Sequence, residues 1–374
     1  MKLYRHIISL ALMFVTTAFS VHASETEKKL SFVYDADFEM NFDNREYYRS
    51  SFSRSMTIFA ARLTPSVGIS LSQDESTGHR LMFGVDVMKD FGAPDAELLN
   101  ELVFHYTLDK NVGNTDLRIS AGIMPRSMMF DNYSEAFISD SLAFYDNNIE
   151  GLLIQVRRPS AEFELGCDWM GQYGKDSRER FMVFSSGEAR FTPAISLGYA
   201  AVMYHFANSY TQKGVVDNIL LNPWVRFDFA HKADMQDLSV RAGYLQGVQR
   251  DRAKSGSFDC PYGFEVDVEA RKWNFGVQNK LFYGTDMMPY YNVADNTGEK
   301  YGTRLYFGDP FYRIHDNGST GLGTYDRLQF FYEPSIGKRM KIRVAAMFHF
   351  HGTSYSGCSQ QVVLKFILLP IDGS

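Results

Sequence analysis

The sequence predicts an all-β chain: a transmembrane antiparallel up-and-down β-barrel of about 16 strands, in a range of about 14–18. Three observations predict it. From Leu30 onward nearly every segment alternates apolar and polar residues with period 2, so each strand offers one face to an apolar medium and one to a polar medium. The strand-like segments run about 9–14 residues, the length that crosses a bilayer at a tilt. Short turns (Arg158-Pro159-Ser160, Pro334 to Lys338) alternate with long loops (Gly284 to Thr303, Gly308 to Thr324), so the two rims of the barrel differ.

The first residues carry an address. Lys2 and Arg5 precede an apolar core from Ile7 to Val15, and Val21-His22-Ala23 offers a small-residue cleavage site. Residues 1–23 are therefore expected to be a signal peptide and 24–374 the barrel, with an inserted loop at 127–149. No later apolar run is long enough for a membrane helix. The net charge of −6 comes without a basic stripe or arm, which argues against a nucleic-acid partner. Cys167, Cys260 and Cys358 are widely spaced and form no C-x-x-C motif. A disulfide framework is not indicated, and one pair is left open.

The strands follow in order. Leu30, Phe32, Tyr34, Ala36, Phe38, Met40 and Phe42 oppose Asp35, Asp37, Glu39 and Asp43. Strands then cover Phe59 to Leu71, Leu81 to Val87 and Leu102 to Leu108, with turns at Gln73 to Gly78 and Lys110 to Asn114. Later strands contain Phe163 to Trp169, Phe181 to Ser185, Ile195 to Met203, Val225 to Phe229, Leu238 to Tyr244 and Tyr262 to Ala270. A turn near Trp273-Asn274 leads into Val277 to Tyr283. The last strands are read at Arg304 to Phe307, Leu328 to Tyr332, Met340 to Phe350 and Gln361 to Leu368. Asp35, Asp37, Arg226 and Arg241 at mid-strand would be costly in a packed core, so the polar face is expected to line a wet lumen. The pairs Tyr47-Tyr48, Tyr290-Tyr291, Tyr306-Phe307 and Phe311-Tyr312 are read as aromatic girdles.

The stretch from Asp116 to Arg157 breaks the rhythm. Leu117, Ile119, Ala121 and Ile123 alternate until Pro125, which cannot donate to a ladder. An acidic, aromatic run follows, and alternation resumes at Gly151. A connection this long is usually functional. It is expected to fold into the lumen and set what passes, with Asp131, Glu135, Asp140 and Asp146 facing a wall of Arg118, Arg126, Arg226 and Arg241.

With these features the chain resembles the outer-membrane porins of Gram-negative bacteria. The resemblance lies in the strand pattern and in the inserted segment after the fifth strand; the end, with Phe366 eight residues from Ser374, departs from the terminal aromatic of many such barrels. It implies the bacterial outer membrane, lipid and small hydrophilic solutes as partners, passive diffusion as the function, no cofactor and no metal. Homo-oligomerisation is left open. The alternatives are an outer-membrane hydrolase acting on lipid or peptide and a barrel plugged by its own loop. Catalysis is not expected. His349 and His351 share a face, but no third ligand or nucleophile is visible beside them, and they are read, with His105 and His205, as polar lumen residues. No G-x-S-x-G or H-E-x-x-H occurs, and GSTGLG at Gly318 to Gly323 is read as a flexible loop.

Overall fold

The computed structural model describes residues 29–48, 52–94, 98–314 and 321–368. The signal peptide, the chain end after 368 and the first half of GSTGLG lie outside them. The strands are β1 (Lys29–Tyr47), β2 (Met56–Asp74), β3 (Thr77–Asp90), β4 (Leu99–Val112), β5 (Thr115–Pro125), β6 (Asn148–Arg158), β7 (Ala161–Gly171) and β8 (Arg180–Thr192). They continue as β9 (Ile195–Phe206), β10 (Val216–Asp228), β11 (Asp237–Asp251), β12 (Tyr262–Lys272), β13 (Phe275–Gly284), β14 (Gly323–Tyr332), β15 (Ser335–Ile336), β16 (Met340–His351) and β17 (Ser354–Leu368). Each pairs antiparallel with its sequence neighbour, and β1 pairs with β17, so the sheet closes on itself. The 2-residue β15 only extends the hairpin that joins β14 to β16, which leaves a 16-strand barrel. Closure removes every free edge, as backbone in hydrocarbon requires.

Alternation sorts the side chains. Phe32, Val67 and Phe83 point outward and are 83%, 65% and 53% exposed. Asp86, His105, Glu164, Gln249 and Glu265 point inward and are buried. One rim is made of tight turns. At Trp273 and Asn274 both residues have positive φ (52° and 67°), the backbone of a two-residue hairpin matched to strand twist. That rim also holds the start of β1 and the end of β17. By the short-turn rule it faces the periplasm, and the long loops face outside.

Three expectations need correction. Arg304 to Phe307 is not a strand: a 3-10 turn at Gly302–Arg304 begins it, and 285–322 is one connection rather than two loops. Its residues carry their own turn bonds, with Arg304 N–H to the Tyr301 carbonyl at 3.0 Å, which spends the backbone groups a ladder would use. Tyr290, Tyr306, Phe311 and Tyr312 are buried inside the barrel and are not girdle residues. His205 lies on the lipid face, because the even residues of β9, such as Tyr204 and Phe206, are the inward ones.

Candidate functional site

Two connections fold into the lumen and meet there. The first, 126–147, leaves β5 at Pro125 and returns at Asn148; it contains the helix α1 (Asp140–Tyr145), capped by the Ser139 hydroxyl, which accepts from Leu142 N–H. The second is 285–314, the described stretch that follows β13 in the connection from β13 to β14. They join backbone to backbone: Asp309 N–H donates to the Glu135 carbonyl at 2.8 Å, and Ser139 N–H to the Phe307 carbonyl at 2.9 Å. Gly308 permits this approach, since a Cβ there would stand 2.0 Å from the Ala136 carbonyl oxygen. Phe137, Leu305, Tyr306, Phe311 and Tyr312 pack with Met124, Leu153, Tyr204, Phe282 and Tyr325 of the wall into one buried cluster.

Polar contacts pin the first loop to opposite walls. On β7, the fully buried Glu164 carboxylate accepts from Phe130 N–H (2.9 Å), Tyr133 hydroxyl (2.8 Å), Gln155 amide (2.9 Å) and Ser186 hydroxyl (3.2 Å). Four donors offset the cost of holding that group away from water. Across the lumen, Arg327 of β14 forks onto Glu135 at 2.6 and 2.7 Å, and Lys280 of β13 lies 3.3 Å from the same carboxylate. Burial would raise the Glu135 carboxyl, but Arg327 and Lys280 outweigh it and hold the group below the usual carboxylate range. Ser134 donates to Glu265 of β12 at 2.9 Å, and the Tyr312 hydroxyl donates to the same carboxylate.

The residues expected at the constriction separate. Glu135 meets a cationic wall, but of Arg327 and Lys280. Asp131 and Asp140 are exposed. Although its side chain opens into the lumen, enclosure within the barrel pushes the Asp140 carboxyl up, and the nearby Glu135 charge adds to this. Asp146 lies 3.5 Å from Arg126, which is buried at the root of the loop and donates to Asp168 at 2.8 Å and to the Asp146 and Asn148 carbonyls. Arg241 reaches the loop through the Asn132 carbonyl at 2.9 Å and stacks over Trp224. Arg118 pairs with Asp109 and Arg226 with Asp237, both near the short-turn rim and away from the loop. The alternation placed these arginines on the inner face, but height along the barrel depends on register, which spacing alone does not give.

The sequence reading missed a second group at the outer rim. His351 ends β16 and Ser356 lies near the start of β17, across the turn Gly352-Thr353. His351 faces inward by alternation with His349, and the register shift between His349 and Phe350 leaves Ser356 as the extra residue on β17 and turns it inward beside it. The Ser356 hydroxyl is 3.0 Å from His351 Nδ1, and His351 Nε2 is 3.0 Å from the Phe311 carbonyl. A carbonyl only accepts, so Nε2 carries the proton and Nδ1 accepts from Ser356. The imidazole is clamped by Phe52, stacked at 4.1 Å, and by Tyr325 at 5.1 Å. A serine hydroxyl facing an oriented, unprotonated imidazole nitrogen is the arrangement of an activated nucleophile. The only cue in the sequence was the string His351-Gly352-Thr353-Ser354-Tyr355-Ser356, a histidine and two serines flanking a tight turn. Neighbouring His349 takes a different partner, the Tyr325 hydroxyl at 2.9 Å. Among the described residues no three His, Cys, Asp or Glu side chains converge as a metal site.

A search of curated proteins finds no match. Among solved structures, the barrel is similar to OpdL of Pseudomonas aeruginosa (11% identity, 90% of this chain and 99% of that one, TM-score 0.51). It is also similar to OmpTdeltaL8, a loop-deletion mutant of an outer membrane protein of Vibrio cholerae (10% identity, 90% and 99%, TM-score 0.52). At such identity the likeness is one of fold, and it agrees with an outer-membrane, porin-like barrel. The family profile described as "Lipid A 3'-O-deacylase-type" matches residues 23–355. That match overturns the expectation of a barrel without catalysis, because the family is one of enzymes. Spanning nearly the whole barrel, the match shows that the chain belongs to the lipid A 3'-O-deacylase-type family.

Proposed function

We propose that this chain is an outer-membrane ester hydrolase that removes an acyl chain from a lipid A-type glycolipid, with Ser356 as nucleophile and His351 as general base. The family membership over residues 23–355 carries the reading; His351 lies within the match, and Ser356 is the residue that follows it. The rim geometry supports it. Ser356 is 7% exposed, while the hairpin tip beside it is open and Tyr355 faces the lipid. An ester group at the outer-leaflet interface comes within reach there. The two loops that cross the lumen support a barrel built around a packed interior rather than around a wide path for solutes.

In the reaction, Ser356 Oγ attacks the ester carbonyl carbon while its proton passes to His351 Nδ1. Collapse leaves an acyl-serine, and the proton goes to the departing sugar oxygen. Water, deprotonated by His351, then releases the fatty acid and restores Ser356. The Phe311 carbonyl holds the tautomer and stabilises the transient imidazolium, and the Phe52 face adds to this. The test is fatty-acid release by the full chain in mixed micelles with a bacterial lipid A glycolipid. Ser356→Ala and His351→Ala should lower the rate by roughly 100-fold or more, with heat-modifiable gel migration unchanged. Wild-type rates in both variants would move the chemistry elsewhere in the barrel. No release by the wild-type chain would sink the reading itself.

A further inference from the structure

The lipid face of β8 to β11 carries a row of polar and aromatic residues at the outer rim. Register places Phe181, His205, Asp217 and Arg250 side by side on four neighbouring strands, each one residue from the strand's outer end. Trp169 of β7 continues the row and stacks on Phe181 at 5.2 Å. Arg252, just past β11, forks onto Asp217 at 2.7 and 2.8 Å, while Arg250 and His205 lie 3.7 Å from the same carboxylate. Two guanidiniums face one carboxylate, so the patch keeps a positive charge. The Arg250 Nε is buried without a hydrogen-bond partner, and its guanidinium stacks over Phe258 at 4.4 Å.

Two residues deeper the same register gives Val183, Met203, Ile219 and Val248, all on the outer face and all apolar. Cationic donors therefore stand directly above a hydrocarbon-compatible wall, on the side that faces the outer leaflet. Guanidinium forks match phosphate oxygens, and the apolar row beneath matches acyl chains. A free phosphate would use only the first of these.

We propose that His205, Arg250 and Arg252, set by Asp217, form an outer-wall site for the phosphorylated headgroup of an outer-leaflet glycolipid. Strands β8 to β11 lie across the barrel from β16 and β17, so this site is separate from Ser356 and does not depend on the hydrolase reading. The test is native mass spectrometry of the full chain released from nanodiscs that contain diphosphorylated lipid A in phosphatidylethanolamine. The wild-type chain should retain a lipid A molecule, and Arg250→Ser/Arg252→Ser should retain at least 10-fold less. Dephosphorylated lipid A should be retained no better by the wild type than by the variant. Ser356→Ala should bind as the wild type does, which separates this site from catalysis. Equal retention of diphosphorylated lipid A by wild type and double variant would overturn the proposal, as would equal retention of the dephosphorylated form by the wild type. Arg250→Lys/Arg252→Lys, which preserves charge but not the fork, should fall between the two; retention as low as in the serine variant in a folded barrel would also count against it.

Discussion

Glu135→Gln is the sharpest perturbation of the lumen. In the native barrel the Glu135 carboxylate takes both arms of Arg327 at 2.6 and 2.7 Å and has Lys280 at 3.3 Å, with Asp267 3.5 Å from that lysine. Two cations thus balance two anions. The glutamine keeps the shape but removes one anion, leaving Arg327 and Lys280, both buried, with one carboxylate between them. Removing one partner of a buried pair costs about 3–5 kcal/mol. Glu135 is partly open to the lumen, so the lower end applies, about 3 kcal/mol, or roughly a 150-fold shift in an opening equilibrium. The shift falls on the docking of the loop and leaves the hydrogen-bonded barrel intact. Amide hydrogen exchange reads it directly. Backbone amides of Ala136, Phe137 and Ser139 should lose about two orders of magnitude of protection, while those of β3 and β4 stay unchanged. Arg327→Met added to Glu135→Gln should recover part of the loss, because it removes the stranded charge. Protection within about twofold of wild type in Glu135→Gln would refute the claim that this pair pins the loop.

Other outcomes follow from the same structure. Burial and the Glu135 charge push the Asp309 carboxyl up to about 6, against a lowering bond from Phe311 N–H. A group raised on docking favours the docked state in its protonated form, so docking should tighten as pH falls from 7 through 6; Glu135, held low, stays ionised throughout. Protection factors at Phe311 and Tyr312, corrected for the intrinsic slowing of amide exchange in acid, that rise between pH 7 and 5 would agree, and falling ones would not. Replacing 127–147 by a short Gly-Ser turn should raise single-channel conductance in planar bilayers, because the loop bridges β7 and β14; unchanged conductance in a folded barrel would place the barrier in 285–322. Phe83→Arg, on the lipid face near the middle of β3, should cost roughly 2–4 kcal/mol in a urea folding titration in lipid vesicles. A cost near zero would reverse the assigned face.

The barrel was legible because its physics is periodic. A two-residue repeat sets inside against outside, and Pro125 and Trp273-Asn274 mark where strands stop. Depth was less legible. Arg118 and Arg226 lie on the inner face as alternation requires, yet they pair near the short-turn rim with Asp109 and Asp237. The partners that hold the loop, Arg327 and Lys280, come from strands far along the chain, and nothing in local pattern singles them out. The aromatics of 285–322 mislead for a similar reason. Tyr-Phe pairs suit a membrane interface and a protein interior equally, and only the approach of Gly308 to Ala136 decides for the interior. The Ser356–His351 contact depends on one irregular step in the β16–β17 hairpin, which spacing does not announce.

If Ser356 is the nucleophile of an esterase, it can be trapped covalently. The full chain in detergent micelles would be treated with a long-chain alkyl fluorophosphonate and digested, and the adduct located by mass spectrometry. One adduct is expected, on the peptide that carries Ser356, blocked by prior addition of lipid A glycolipid and strongly slowed in His351→Ala. An adduct on another serine, or undiminished acyl release from Ser356→Ala, would contradict it.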